Sequence, residues 1–154
     1  MLRMLIALFL LALPLEAVAA DSIALTSKVY VERSGNGKSA GSHIVLEEPD
    51  TVKPGDKLIY IVEYRNQGTD EVSDFIVTNP LPRTVRFDRT VRGDEIVSVD
   101  NGRSWGRLDG LRVTLPQGGT RAAQPSDVTH LRWRMPRKLA AGESGKVTFR
   151  AIVR

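Results

Sequence analysis

The 154-residue chain contains no cysteine and only two histidines, His43 and His130. The first absence excludes a disulfide framework, a thiolate nucleophile, a cysteine zinc site and a lipid-modified N-terminal cysteine. The second excludes a three-histidine metal cage. Aromatic residues are scarce at 6%, and 22 Lys+Arg stand against 18 Asp+Glu, a formal net charge of only +4. With no aromatic interleaving among the basic residues, that small excess speaks against a nucleic-acid partner. Apolar runs of membrane-spanning length are missing too. Outside one N-terminal run, no window holds a 3.6-residue apolar period, so no helix is predicted there. What is present, 42% hydrophobic and 26% charged residues, is a globular composition.

The N-terminal run, Leu5 to Leu13, follows Arg3 and stops at Pro14. Ala17-Val18-Ala19-Ala20 then offers small residues where a signal peptidase reads. Residues 1–20 therefore read as a secretory signal peptide, cleaved after Ala19 or Ala20. A membrane span needs roughly 20 apolar residues, and this run is too short. The expectation is a soluble domain, residues 21–154, that is periplasmic or secreted and has no transmembrane anchor. Removing residues 1–20 takes away Arg3 and Glu16 and leaves the charge at +4. A chain of the remaining length buries roughly two-thirds of its unfolded surface. That suffices for a core without disulfides, which exported bacterial proteins do not always carry.

Glycine and proline punctuate the rest about every ten residues, the spacing of an all-β sandwich or barrel. Lys57–Arg65 is the clearest strand, with Leu58, Tyr60, Val62 and Tyr64 on one face. Its other face starts with Ile59 and Ile61, so a central position is predicted. Thr129–Met135 alternates Leu131, Trp133 and Met135 with Arg132 and Arg134. Val147–Val153 places Val147, Phe149, Ala151 and Val153 on one face. Ile23–Arg33, His43–Glu48, Val72–Asn79, Val85–Val91, Glu95–Asp100 and Leu108–Leu115 follow the same grammar. Pro116–Asp127 reads as a polar loop. The total is about 7–9 antiparallel strands and no helix.

Ser98-Val99-Asp100-Asn101-Gly102-Arg103-Ser104-Trp105 fits a Ser-x-Asp-x-Gly-x-x-Trp pattern. It resembles the Asp-box of sialidase propellers. There it is a structural turn, and one copy does not make a propeller; Ser98, Asp100, Gly102 and Trp105 are therefore assigned to a turn. A Ser126–His130–Asp127 hydrolytic triad can be written down, which makes a small hydrolase one alternative. Neighbours in sequence rarely adopt triad geometry, however, and no Gly-x-Ser-x-Gly elbow occurs. Asp70, Glu71 and Asp74 carry oxygens that calcium accepts, without a spaced loop motif. No catalytic, cofactor or metal residue is assigned. Arg132 and Arg134 share the outward face of one predicted strand, and Lys146 and Arg150 that of another. If the two strands are neighbours, these four form a positive patch for a polyanion such as lipopolysaccharide or acidic glycan.

Three further stretches carry a family resemblance: Val52-Lys53-Pro54-Gly55-Asp56-Lys57-Leu58-Ile59-Tyr60, Glu63-Tyr64-Arg65-Asn66-Gln67-Gly68 and Val77-Thr78-Asn79-Pro80-Leu81-Pro82. In this order they resemble the bacterial envelope conserved-repeat family, domain of unknown function 11. The later turns at Ser98–Gly102, Asp127–Trp133 and Ala141–Gly145 are similar to its single-domain exported proteobacterial branch. The resemblance implies an immunoglobulin-like β-sandwich outside the cytoplasm and brings no catalytic residues. The function expected is non-enzymatic: binding or structural support in the periplasm or cell envelope, with an envelope protein or glycan as partner.

Overall fold

The structure, a computed structural model, describes residues 22–35 and 43–154. The expected signal peptide lies outside the described residues. Among the described residues, ten strands form an all-β sandwich: β1 (Ile23–Gly35), β2 (His43–Glu47), β3 (Lys57–Asn66), β4 (Phe75–Pro80), β5 (Val85–Thr90), β6 (Ile96–Ser98), β7 (Arg112–Thr114), β8 (Thr120–Ala122), β9 (His130–Met135) and β10 (Ser144–Val153). A five-stranded antiparallel sheet, in the order β2-β1-β3-β10-β5, faces a three-stranded sheet, β4-β9-β6. β7 and β8 form a separate hairpin. No helix of the described residues is long and apolar enough to cross a membrane.

Alternation decides which face of each strand meets the core. In β3, Leu58, Tyr60 and Val62 are buried; in β10, Val147, Phe149 and Ala151; in β9, Leu131, Trp133 and Met135. Odd and even positions of a strand leave opposite faces, so the phase read from the sequence holds for all three. The sheets meet through rings. Tyr60 stacks on Phe149 within the large sheet at 4.6 Å, Phe149 meets Trp133 of the small sheet at 6.1 Å, and Tyr64 meets Phe75 edge-on at 5.3 Å. β3 is central, between β1 and β10, and the first residue of its second face, Ile59, is also buried. On that outer face the ladder places Ile59 between Tyr30 and Arg150.

Several boundaries differ from the sequence reading. Leu108–Gly110 is a 3₁₀ turn, with only Arg112–Thr114 extended beyond it. The predicted loop 116–127 holds β8 and a second 3₁₀ turn, Pro125–Asp127. These short, mixed-polarity pieces raise the strand count to ten. Val91 falls outside β5 and is exposed, because β5 ends at Thr90, whose hydroxyl accepts the Gly93 N–H.

Two local devices close the ends of β3. Asn66 is fully buried. Its Nδ2 donates to the Asp70 and Leu139 carbonyls, at 2.7 and 3.0 Å, and its Oδ1 accepts the Gly68 N–H at 2.9 Å. One side chain thus satisfies three backbone groups and ties two loops together. At the other end, the Asp56 carboxylate accepts the Lys53 N–H and the Arg33 guanidinium. The Lys53 N–H and the arginine together hold it below the usual carboxylate range.

Candidate recognition face of the small sheet

The turn after β6 is built around one carboxylate. Asp100 Oδ1 accepts the Ser98 hydroxyl at 2.7 Å and the Arg103 and Ser104 amides at 3.1 and 2.9 Å; Oδ2 accepts the Ser104 hydroxyl at 2.6 Å. The Ser104 hydroxyl and amide, with Ser98 and Arg103, stabilise the charged form and hold the Asp100 pKa far below normal. Asn101 and Gly102 both have positive φ, at 61° and 85°, and glycine best tolerates that region. The Trp105 Nε1–H donates to the Gly102 carbonyl at 3.0 Å, which fixes the indole beneath the turn. The four residues assigned to a turn thus assemble as one. Their polar atoms are engaged with one another, as a structural turn requires.

Thr129 couples this turn to β9. Its amide donates to the Ser98 carbonyl, and its hydroxyl donates to the same carbonyl and accepts the Asn101 amide. β9 is thereby set beside β6 and β4, with Arg132 opposite Thr78 on one side and Ile96 on the other. Arg132 lies on the outer face, where its guanidinium stacks over Trp105 at 3.6 Å from the ring centroid. Its Nε donates to Thr78 Oγ1 at 3.3 Å. His130, two residues earlier on the same face, meets Trp105 edge-on at 6.1 Å. Among the described residues, Arg132 has no ion pair with a carboxylate.

The four-residue basic patch does not assemble, a correction to the sequence reading. β9 belongs to the small sheet and β10 to the large one, and both sheets turn their apolar faces to the shared core. Arg132 and Arg134 therefore leave the sandwich on one side, Lys146 and Arg150 on the other. Two members are also neutralised. Arg134 makes a two-pronged pair with Asp74, at 2.6 and 2.8 Å, which holds the Asp74 pKa down. Arg150 pairs with Glu32 at 2.6 Å across the outer face of the large sheet. Among the described residues, Arg132 is the arginine of the small sheet whose terminal guanidinium nitrogens stay unpaired.

Ser126, Asp127 and His130 do line one shallow cleft of about 340 Å³ at the end of the sandwich. The contacts there are not those of a triad. The Asp127 carboxylate is occupied by Arg121, at 2.6 and 2.7 Å, and by the Gln124 amide. The Arg121 guanidinium holds its pKa down. His130 Nδ1 lies 3.1 Å from the Thr129 hydroxyl, and among the described residues no hydrogen bond joins it to Ser126 or Asp127. The side chain of His43 lies outside the described residues. Two of the three acids are taken up in ion pairs, Glu71 with Lys138 and Asp74 with Arg134, and the Asp70 carboxylate accepts the Thr69 hydroxyl. Among the described residues, no three His, Asp or Glu side chains gather as metal ligands.

Sequence reasoning missed one residue and one contact here. Thr129 carried no visible signal, because its value depends on β9 lying next to the turn. The stacking of Arg132 on Trp105 joins positions 27 apart and depends on the same pairing. No family model, curated protein or solved structure matches the chain.

Proposed function

We propose that this chain is a non-enzymatic, exported, immunoglobulin-like binding domain of the bacterial cell envelope, and that it recognises an anionic group at Arg132. The leader-like residues 1–20 and the ordered Pro-Gly-Asp, Asn-x-Gly and Leu-Pro stretches support the compartment and the class. One observation carries the recognition role: a guanidinium held flat on an indole, anchored through Nε, with its terminal nitrogens unclaimed by any carboxylate of the described residues. A planar guanidinium offers donors in a fork that matches a carboxylate or phosphate in two-pronged fashion. Preordering it on Trp105 removes side-chain entropy that binding would otherwise cost. The ligand group it fits is a carboxylate or phosphate of an acidic glycan or of lipopolysaccharide.

The test is titration of the protein with a polygalacturonate oligomer and with lipopolysaccharide vesicles, followed by tryptophan fluorescence in a Trp133→Phe background, where Trp105 is the one indole left. Binding should weaken at least about tenfold in Arg132→Gln, the loss of one charged hydrogen-bonding group. Lys146→Gln, on the opposite side of the sandwich, should leave it unchanged. Equal binding by wild type and Arg132→Gln, or no binding of either probe, sinks the reading.

A further inference from the structure

The two edges of β1 are covered unequally. One pairs with β3 from Ile23 to Val31. The other pairs with β2 only from Val31 to Gly35. Among the described residues, no strand pairs with this second edge between Ile23 and Tyr30. The Ser22 carbonyl accepts the Gln67 amide at 2.7 Å, toward the β3 side. Backbone groups of an antiparallel edge alternate in direction, so those of Ile23, Leu25 and Ser27 point away from β3. Leu25 lies on the core-facing side, across from Tyr64, and is still 48% exposed. Further along the same face Val29 packs against the core and Val31 is buried, so the cover over this face of β1 stops short of Leu25.

We propose that this edge pairs antiparallel with the same edge of a second copy of the chain, about a two-fold axis through Leu25. The pairing sets Leu25 against Leu25, Ala24 against Thr26 and Ile23 against Ser27, so small and apolar residues meet along its length. The charged residue nearest the axis, Lys28, falls opposite Ser22, so no like charges oppose each other. A register centred two residues further on, at Ser27, needs the edge of Tyr30. There Glu48 directly follows the Val31–Glu47 pair. The outward amides and carbonyls of Ile23, Leu25 and Ser27 match those of the copy in the Leu25 register. A free edge is a template for open-ended association; a two-fold pairing consumes both edges and closes. The two five-stranded sheets then run on as one.

The absence of native cysteine makes the register directly testable by cross-linking. Facing hydrogen-bonded residues of an antiparallel pair lie about 5.5 Å apart at Cα, inside the range a disulfide spans. The full chain is expressed with its own leader and purified. Leu25→Cys should give a disulfide-linked dimer on mild oxidation. Lys28→Cys should not, because its two copies sit about 20 Å apart in this register, six residues along the strand. Sedimentation of the wild type should show a concentration-dependent dimer. Leu25→Lys should raise its dissociation constant at least about tenfold, with an unchanged melting curve when both proteins are diluted to monomer, which separates loss of pairing from loss of folding. A wild type that stays monomeric at millimolar concentration overturns the proposal. So does a Lys28→Cys variant that cross-links as readily as Leu25→Cys.

Discussion

Replacing Trp133 by alanine removes the largest fully buried side chain of the core. The indole sits between Phe149 of the large sheet and the buried Val77 opposite it in the small sheet. An aromatic side chain of this size buries about 200 Å². At about 25 cal/mol per Å² that corresponds to about 5 kcal/mol. The figure is an upper bound, because the unfolded chain already hides part of this area. Cavity formation adds to the loss while partial collapse subtracts, and such substitutions cost about 3–5 kcal/mol. For a domain of this length each kcal/mol lowers the melting temperature by about 3–4 °C, so a drop of about 10–18 °C is expected. A thermal melt measures that drop, and urea unfolding followed by circular dichroism measures the free-energy loss. The midpoint should fall with an unchanged slope, since the surface exposed on unfolding is nearly the same. A loss under about 1 kcal/mol would show that Trp133 does not bridge the two sheets, and would refute the phase assigned to β9.

The remaining predictions concern polar devices and acid. Asn66→Ala strands the Asp70 and Leu139 carbonyls and should cost about 2–3 kcal/mol in urea unfolding; a near-neutral result would show that water replaces the amide. Gly145→Val should destabilise markedly in a thermal melt, because the Tyr64 ring folds over the glycine it pairs with and leaves no room for a Cβ; equal melting would place that ring elsewhere. Asp56, Asp74, Asp100 and Asp127 all have folded pKa values below the unfolded value. Their contribution is complete above about pH 5, well clear of the unfolded pKa, and fades as pH falls through the unfolded value toward the lowered folded ones. The urea midpoint should therefore decline below pH 5, with a shallower decline in Asp100→Asn; an identical decline would remove Asp100 from the acid response.

What was legible in the sequence follows from the range of the interactions. The faces of β3, β9 and β10 were legible because alternation is local and each strand carries three or four apolar residues in phase. The Ser98–Trp105 turn was legible for a similar reason: the partners of Asp100 lie within four residues of it. Sheet membership was not. Arg132 and Arg150 look equivalent along the chain, and only long-range pairing sends β9 to β4 and β6 and β10 to β3 and β5. That single topological fact dispersed the four-residue basic patch and brought Arg132 onto Trp105. Asn66 was visible only as part of an Asn-x-Gly turn. Its buried, triply bonded side chain was within reach of the rule that asparagine mimics a turn of backbone, but the contact with Leu139 was not. Residues 108–127 were misjudged because three-residue strands lack room for a period to show.

Reception of an anion by the one preordered arginine of the small sheet, as proposed for Arg132, can be observed directly. Its most direct measurement is the NMR spectrum of the arginine Nε–H and tryptophan indole N–H groups during titration with galacturonate oligomers, with neutral galactose as control. Saturable shifts are expected at Arg132 and Trp105, small shifts at Arg134 and Arg150, whose guanidinium groups are already paired, and none with galactose. Shifts centred on Arg150, or equal responses to the charged and neutral sugars, would contradict the proposal.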